Sequence, residues 1–357
     1  MNAPETVTGV AARVERRLDV LLENELERWT AVDSELAVPL SNLVSSVLSG
    51  GKRLRAAFCY WAFVGAGGDA DDPKVIDAGA ALEMLHSAAL LHDDVIDGSD
   101  LRRGVPTVHV EHAQRHRERE LRGDPSRFGA GVAILTGDLA LVYGDRLLSG
   151  APNQAAAVYD EMRLEVNFGQ YLDLVGAADR SGLAGDTGVE RARRIMRYKT
   201  AKYTVERPLH LGAALAAPLE FADLEGPLSR FGLPLGEAFQ LRDDVLGVFG
   251  DPARTGKPVG EDLREGKPTM LASLAASRAT GRGAELLAKR FGAPDLCPDE
   301  IRQMQDIIES SGARASVEEE VADLVGRASA ALPELPLLPE ALSALGELAA
   351  FVAGRDT

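Results

Sequence analysis

Along most of the 357-residue chain, apolar residues recur at i, i+3 and i+4, the spacing of an amphipathic helix, with little of the alternation typical of strands. The clearest examples are VERRLDVLLENELERWTAV, VIDAGAALEMLHSAALLHDDVID and QAAAVYDEMRLEVNFGQYLDLVGA. Gly98 directly follows the second of these stretches, as glycine commonly does at the C terminus of a helix. The pattern predicts an all-α fold, a single-domain helical bundle that covers residues 1–357.

Charged runs, prolines and glycines interrupt this pattern at a few places. The stretch EHAQRHRERELRGDPSRFG predicts a solvated loop or a short exposed helix. We expect Pro208 to break or kink its helix, and a later helix to bend or begin near Pro234, because proline removes a backbone donor. Residues 251–269, DPARTGKPVGEDLREGKPT, predict a loop of the length that is typical of functional lids.

Composition and charge narrow the class of protein. Lys and Arg total 39 against 55 Asp and Glu, a formal net charge of −16, which argues against nucleic-acid binding because that function needs a basic surface. The two cysteines, Cys59 and Cys297, are compatible with a reducing compartment. The N-terminal residues lack a signal-peptide core, and no run approaches about 18 apolar residues, the length that spans a membrane. We therefore expect a soluble cytoplasmic protein without a membrane span.

Two clusters of aspartates lie at the ends of apolar helices. In LLHDDVIDGSDLRRG, Asp93 and Asp97 are four residues apart on one helical face, where like charges destabilise an isolated helix by roughly 0.2–0.5 kcal/mol. In FQLRDDVLGVFGD, Asp243 and Asp244 hold a similar position. One such cluster is weak evidence, since aspartates are common at helix ends. Two clusters on facing helices of a bundle favour a site for Mg²⁺, which bridges carboxylates to substrate phosphates.

Basic residues accompany these aspartates although the chain is acidic. They recur beside glycine or aspartate in the short motifs GGKRLR, DLRRG, RYKTAK, TGKP and EGKPT. A single cation of this kind is usually a solvated surface charge. Together with carboxylates suited to magnesium, the set indicates a site for a diphosphate group.

In order and spacing, these motifs resemble those of the trans-isoprenyl diphosphate synthases, which make farnesyl, geranylgeranyl and longer polyprenyl diphosphates. The matching pieces are GGKRLR at 50–55, LHSAALLHDDVIDGSDLRRGVPTVH at 85–109, GD at 137–138, KT at 199–200, FQLRDDVLGVFGD at 239–251 and TGKPVGEDLREGKPT at 255–269. The resemblance implies the isoprenoid synthase fold, an all-α bundle around a deep central cavity, usually as a homodimer.

The resemblance also implies a role for each matching residue. Mg²⁺, about three ions per site in that family and replaceable by Mn²⁺, would bind Asp93, Asp97 and Asp243, with Asp94 in support. The diphosphate of isopentenyl diphosphate would be held by Lys52, Arg55, His86 and Arg103. The allylic diphosphate (dimethylallyl, geranyl or farnesyl) would be held by Arg102, Lys199, Thr200, Gln240, Lys257 and Lys267. The implied catalytic residues are Asp93, Asp94, Asp97, Arg102, Lys199, Asp243 and Lys257.

At two of these positions, those of His86 and Gly247, the match to the family is less direct. His86 has an alternative interpretation as an ordinary core histidine, but its spacing of two helical turns from Asp93 favours the site. The second aspartate motif of the family often ends in a third aspartate, and this chain has Gly247 there. Asp251 does not replace it at the same spacing. The departure affects the role of Asp244 and leaves that of Asp243 intact.

Product length depends on what lies below the first aspartate motif. Ala89 and Ala88, four and five residues before Asp93, are about 6–7.5 Å down the helix and too small to stop a growing chain. Met84 and Leu85 are deeper candidates for the floor, as is an unidentified side chain from a neighbouring helix. In the resembling family, bulky aromatics at the level of the two alanines accompany the fifteen-carbon product. We therefore expect geranylgeranyl diphosphate, with twenty carbons, over farnesyl or longer polyprenyl products.

Two other classes of protein share part of this pattern. A class I terpene cyclase has the same fold and first aspartate motif but needs no site for isopentenyl diphosphate, so GGKRLR and the pair Arg102-Arg103 count against it. A non-catalytic partner subunit of a heteromeric synthase would not need the complete first motif together with Asp243 and Asp244. The sequence therefore favours a catalytic synthase.

The aspartate clusters generate a first prediction. Asp93→Ala and Asp243→Ala are each expected to abolish turnover while the fold, followed by circular dichroism, stays intact. Treatment with EDTA should stop product formation, and added Mg²⁺ or Mn²⁺ should restore it. Undiminished product formation after EDTA treatment would contradict the prediction.

Overall fold

The computed structural model describes residues 3–179, 183–250 and 260–354, and most of this part of the chain is helical. The α-helices are α1 Glu5–Val32, α2 Ala37–Leu48, α3 Leu54–Gly65, α4 Pro73–Asp97, α5 Val108–Glu118, α6 Pro125–Leu147, α7 Asn153–Ala178, α8 Gly185–Ile195, α9 Arg207–Ala216, α10 Phe221–Phe249, α11 Glu261–Glu265, α12 Met270–Arg278, α13 Gly281–Arg290, α14 Pro298–Ser310, α15 Ala313–Ala331 and α16 Pro339–Ala353. The all-α prediction is confirmed.

Three short elements complete this part of the chain. A π-helix, Met196–Glu206, connects α8 to α9, and a 3₁₀ turn, Leu332–Glu334, precedes α16. Two-residue strands, β1 Leu101–Arg102 and β2 Val105–Pro106, pair antiparallel directly after α4. This small hairpin holds the two arginines of the DLRRG motif close to the first aspartate motif.

Helix α4 carries the first aspartate motif, and local signals define both of its ends. The Asp72 side chain caps the N terminus by accepting a hydrogen bond from the backbone N of Lys74 at 2.9 Å, and Pro73 follows it. Proline at this position is favourable because its missing N–H would have no helical partner. Gly98 ends the helix with a left-handed φ of 65°, a conformation that strains other residues. The aspartates therefore lie in the last turns of a well-defined helix.

The interior consists of two apolar clusters that α10 connects. The larger cluster contains Phe58 and Leu82, and the smaller one contains Leu271. Along α10, Leu235 belongs to the larger cluster and Leu241 to the smaller. The second aspartate motif follows Leu241 directly, so packing on both clusters fixes its position.

The charged stretch after the hairpin differs from its prediction. Residues 108–118 form α5, but one face of this helix is buried, with His112 and His116 4% and 2% exposed. Its packing on α6 is close, since a Cβ at Gly129 would lie 2.0 Å from the backbone O of His109. His112 Nε2 contacts Asn42 Nδ2 at 2.8 Å. The prediction of an exposed segment is wrong for this face, because two histidines supply partners inside an otherwise charged run.

The prolines also act differently from expectation. Pro208 lies in the first turn of α9, where its missing N–H costs little, and the chain changes there from π-helix to α-helix. Helix α10 begins at Phe221 and continues through Pro227 and Pro234, so the start expected near Pro234 is wrong. Of the predicted loop 251–269, residues 251–259 lie outside the described residues, and Glu261–Glu265 forms α11.

One helix is apolar enough to be compared with a membrane span. Helix Pro125–Leu147 is long and apolar enough to cross a membrane, and 39% of its most apolar 18-residue stretch is buried inside the molecule. Helix α6 includes Arg127, Asp138 and Asp145, so it does not contain an uninterrupted run of about 18 apolar residues. A helix that packs in the core of a bundle meets the same criterion, so length and composition alone decide nothing here.

Candidate active site

Two connected cavities lie between α4, α7, the π-helix and α10. The deep cavity, of about 610 Å³, extends from the GGKRLR motif between α2 and α3 to Asp243 on α10. The metal-side cavity, of about 230 Å³, is lined by Asp97 on α4 and by Lys267, which follows α11. Asp93, Lys199, Thr200 and Gln240 line both cavities. These four residues form the junction between the cavities.

Three donors surround the carboxylate of Asp93. Gln170 Nε2 donates to its Oδ1 at 2.8 Å, and Lys199 Nζ donates to the same atom at 3.2 Å. Arg102 Nη2 lies 3.9 Å from Oδ2. Burial opposes ionisation, but the charges of Lys199 and Lys267 prevail and hold the pKa of Asp93 below its ordinary value. Asp93 is therefore an ionised carboxylate in a mostly buried position.

The other aspartates of the first motif differ from Asp93. Asp94 is only 5% exposed, and its Oδ1 accepts from Arg102 Nε at 2.7 Å, so it orients this arginine and does not line either cavity. Asp97 lines the metal-side cavity, with Oδ2 3.7 Å from Lys267 Nζ. Burial and the charge of Asp93 raise the pKa of Asp97 to about 6. The repulsion expected between Asp93 and Asp97 is thus present, and a bound cation would relieve it.

Two site residues on α7 were missed by the sequence reasoning. Gln170 contacts Asp93, and Asp173 Oδ2 accepts from Lys199 Nζ at 2.5 Å. Lys199 is therefore held between two carboxylates, those of Asp93 and Asp173. The available signal was weak, because Gln170 and Asp173 lie on a helix that also carries the polar residues Asp160, Glu161, Arg163, Glu165 and Asn167.

Around the second aspartate motif, a carboxylate from another part of the chain lies close to the α10 backbone. Asp244 is buried, accepts from Gln240 Nε2 at 2.6 Å, and has its pKa raised to about 8 by burial and by the charge of Asp262. A Cβ at Gly247 would lie 2.0 Å from Asp262 Oδ2. The carboxylate of Asp262, from α11, thus occupies the space next to the glycine that replaces the family's third aspartate. Asp243 lines the deep cavity.

The residues expected to hold isopentenyl diphosphate all line the deep cavity. Lys52 Nζ lies 4.7 Å from the centroid of the Phe351 ring. Arg103 has a left-handed φ of 53°, and its Nη1 donates to the backbone O of Gly50 at 2.5 Å, which joins the hairpin to the GGKRLR loop. Arg55 lies over the Tyr203 ring at 4.2 Å. These cations come from separate elements and face one space.

His86 is a neutral member of this group. Its Nδ1 lies 2.5 Å from the hydroxyl of Tyr203, a residue that sequence reasoning did not identify. Burial and the nearby arginines hold the pKa of His86 well below its ordinary value. The imidazole lines the deep cavity, where it can donate a hydrogen bond to a diphosphate.

Arg53 and Lys202, basic residues of the GGKRLR and RYKTAK motifs, have structural partners. Arg53 is buried, with Nη1 2.8 Å from Glu83 Oε2 and Nη2 2.6 Å from the backbone O of Val47. Lys202 pairs with Glu165 on α7. Arg53 still lines the deep cavity, whereas Lys202 lines neither cavity, so not every cation of these motifs reaches them. Lys257 lies outside the described residues.

The four residues considered for chain length lie at different depths. Ala89 lines the deep cavity beside Leu90. Ala88, Leu85 and Met84 are at most 2% exposed and belong to the larger apolar cluster. Met84 faces α6, where a Cβ at Gly144 would lie 3.6 Å from the Met84 Cβ.

The carboxylates of the site suit magnesium better than a metal that needs a complete protein-built shell. Within residues 3–179, 183–250 and 260–354, no group of three His, Cys, Asp or Glu side chains forms a ready-made metal site. Asp93 and Asp97 nevertheless supply two mutually repelling carboxylates to one cavity that is also lined by Arg102, Lys199 and Lys267. This set fits Mg²⁺, which commonly binds one or two carboxylates and completes its shell with water and substrate phosphates.

Comparison with known proteins identifies the class to which this fold and site belong. The polyprenyl synthetase family model matches residues 38–308. A geranylgeranyl diphosphate synthase of Mycobacterium tuberculosis is 35% identical over 306 residues, which cover 84% of this chain and 79% of that protein. A geranylfarnesyl diphosphate synthase of Aeropyrum pernix is 30% identical over 81% of this chain and 85% of its own length.

The solved structures agree with the sequence relatives. A geranylgeranyl pyrophosphate synthase of Corynebacterium glutamicum, complexed with isoprenyl diphosphate and magnesium, is 37% identical, with a TM-score of 0.86 over 99% of this chain and 100% of that one. The chain belongs to the polyprenyl synthetase family. It is a trans-prenyl diphosphate synthase, as its sequence motifs predicted.

Proposed function

We propose that this enzyme condenses isopentenyl diphosphate with allylic diphosphates and releases geranylgeranyl diphosphate as its main product. The observation that carries the proposal is the pair of cavities joined at Asp93 and Lys199. The residues expected to hold isopentenyl diphosphate line the deep cavity. Those expected to hold the allylic diphosphate line the metal-side cavity or the junction, apart from Lys257.

This arrangement suits ionisation followed by attack. Arg102, Lys199 and Lys267 place positive charge where the allylic C–O bond breaks and negative charge grows on the leaving diphosphate. The double bond of isopentenyl diphosphate then attacks the delocalised carbocation, and the new cation gives up a proton to the released diphosphate, which restores an alkene. Because the two diphosphates occupy adjoining spaces, positioning of the reacting carbons supplies much of the rate.

We also propose that Asp93, Asp97 and Asp243 hold Mg²⁺, as the resemblance implied. When bound, the ions would add positive charge beside the leaving diphosphate. The magnesium in the C. glutamicum structure supports this proposal. So does the position of Asp97 beside Asp93 in one cavity, where burial and the charge of Asp93 raise the pKa of Asp97 and a cation would lower it.

The proposed twenty-carbon product rests on the small side chain of Ala89 in the wall of the deep cavity. Two geranylgeranyl synthases are among the similar proteins. A nonaprenyl diphosphate synthase of M. tuberculosis, 28% identical over 331 residues, makes a longer product the second candidate.

We propose a homodimer formed through an exposed apolar surface on α6 and α7, termed the α6–α7 face. Its residues, all more than two-fifths exposed, are Ile134, Leu135, Val142, Leu164, Phe168, Tyr171, Leu174 and Val175. The helices meet where Arg163 Nη1 donates to Asp145 Oδ1 at 2.8 Å. Apolar patches of this kind mark interaction sites. A second copy fits better than an anionic membrane, because the net charge is −16 and the exposed Asp138 and Asp160 lie on the same helices.

The division of cations between the two substrates is testable by steady-state kinetics. Lys52→Ala is expected to raise KM for isopentenyl diphosphate and Lys199→Ala KM for the allylic substrate. Each rise should be roughly tenfold or more, because a hydrogen bond to a charged group contributes about 1.5–3 kcal/mol. Each variant serves as the control for the other, and the inverse pattern would refute the assignment.

Product length is testable by extension of labelled dimethylallyl, geranyl and farnesyl diphosphates, followed by sizing of the products. The parent enzyme should accumulate the twenty-carbon product. Ala89→Phe and Ala88→Phe should shift it toward fifteen carbons by blocking the tail, while the near-isosteric Ala89→Ser keeps the parent length. If both phenylalanine variants stay active with the parent product, the floor lies elsewhere.

The α6–α7 face is testable by sedimentation equilibrium. The parent chain should sediment as a dimer and Phe168→Arg as a monomer, because a charge would have to be buried in the interface. Leu219→Arg, at a position that is 91% exposed and outside the face, is the matched control and should remain dimeric. A monomeric parent chain, or one that binds lipid vesicles through this face, would contradict the proposal.

A further inference from the structure

The π-helix Met196–Glu206 is an unusual way to present substrate-binding residues. The i→i+5 hydrogen-bond pattern is rare, occurs mostly as single turns within α-helices, and is frequent at functional sites. Here it extends over 11 residues and carries Lys199 and Thr200 to the junction of the two cavities. A return of this segment to α-helical geometry would rotate both side chains away from their present directions.

Glycines on both neighbouring helices make room for this wide segment. A Cβ at Gly169 on α7 would lie 2.3 Å from the backbone N of Lys199. On the other side, a Cβ at Gly236 on α10 would lie 2.4 Å from the backbone O of Ala201. These contacts allow close approach but have no directional preference, so they do not by themselves select the π-helical register.

Glu165, one helical turn before Gly169 on α7, supplies a directional contact. The residue is 6% exposed. Arg207 donates to both of its oxygens, Nε to Oε2 at 2.7 Å and Nη2 to Oε1 at 2.8 Å, and Lys202 Nζ also donates to Oε1. Lys202 belongs to the π-helix, and Arg207 is the first residue of α9. One buried carboxylate therefore bridges the junction at which the backbone changes its hydrogen-bond pattern.

The charge state of Glu165 strengthens this contact. Burial opposes ionisation, but hydrogen bonds from Arg207 and Lys202 prevail and hold the pKa of Glu165 below its ordinary value. A two-pronged arginine–carboxylate pair fixes orientation as well as distance. Neither Glu165 nor Lys202 lines the two cavities, so the pair acts on the backbone geometry and not on substrate.

We propose that Glu165 is a positioning residue that holds Met196–Glu206 in its π-helical register and thereby places Lys199 and Thr200 at the allylic diphosphate. The proposal rests on the proposed assignment of Lys199 to that substrate. It differs from the role of Asp173, which orients the Lys199 side chain directly, because Glu165 acts on the backbone that carries it.

The test compares Glu165→Gln with Glu25→Gln. Glu25 is a matched control: it is 7% exposed, and its carboxylate accepts from Arg146 at 3.0 Å and Tyr143 at 3.1 Å, partners that do not line either cavity. Glu165→Gln should raise KM for the allylic diphosphate by roughly tenfold or more, because small displacements of a positioned group cost that much, and leave KM for isopentenyl diphosphate unchanged. Glu25→Gln should change neither KM.

Two further variants make every outcome decisive. Glu165→Asp keeps the negative charge, so its KM for the allylic diphosphate should lie between those of Glu165→Gln and the parent enzyme. If Glu165→Gln does not fold, Lys202→Met, which removes the same bridge from the π-helix side, should show the selective rise. Equal effects on both KM values, or none, in these variants would overturn the positioning role.

Lys199→Ala distinguishes the positioning role of Glu165 from the assignment of Lys199 to the allylic diphosphate, on which that role rests. A rise in allylic KM for Lys199→Ala without a rise for Glu165→Gln overturns the positioning role alone. An allylic KM that Lys199→Ala leaves unchanged overturns the assignment of the allylic site, and the role of Glu165 with it.

Discussion

The arrangement of the active site depends on balancing negative charge that is held out of water. An acidic chain buries carboxylates on α4, α7 and α10, and each of them is stable there only with a partner. Lys199 meets this need between Asp93 and Asp173, and Arg102 does so for Asp94. Since these partners come from different elements, the charge balance ties the helices together at the place where substrate charge must enter.

The same balance explains why the site can accept diphosphates. Lys199 and Lys267 already face carboxylates, so an arriving diphosphate exchanges partners with groups that are oriented in advance. Preorganised donors avoid much of the reorganisation that solvent would require. Burial and the charge of Asp93 raise the pKa of Asp97 to about 6 although both lysines lie near it, so this carboxylate is only partly compensated.

Sequence periodicity predicted the helical class because helices such as α1 have one apolar face, and motif spacing identified many of the residues that line the two cavities. The features that sequence reasoning missed depend on contacts between segments that are distant in the chain. The π-helical register requires room at Gly169 and Gly236, and the burial of His112 requires Asn42. Gln170 and Asp173 escaped notice because they are two of several polar residues along α7, and neither carries a local signature of its partner.

The contact between Gly247 and Asp262 has an evolutionary consequence. Any side chain at position 247 enters the space that the Asp262 carboxylate now fills, so one of the two must move. Substitutions at these positions are therefore epistatic: the effect of a change at one depends on the residue at the other. A side chain introduced at position 247 is therefore tolerated only as far as the Asp262 carboxylate can turn aside.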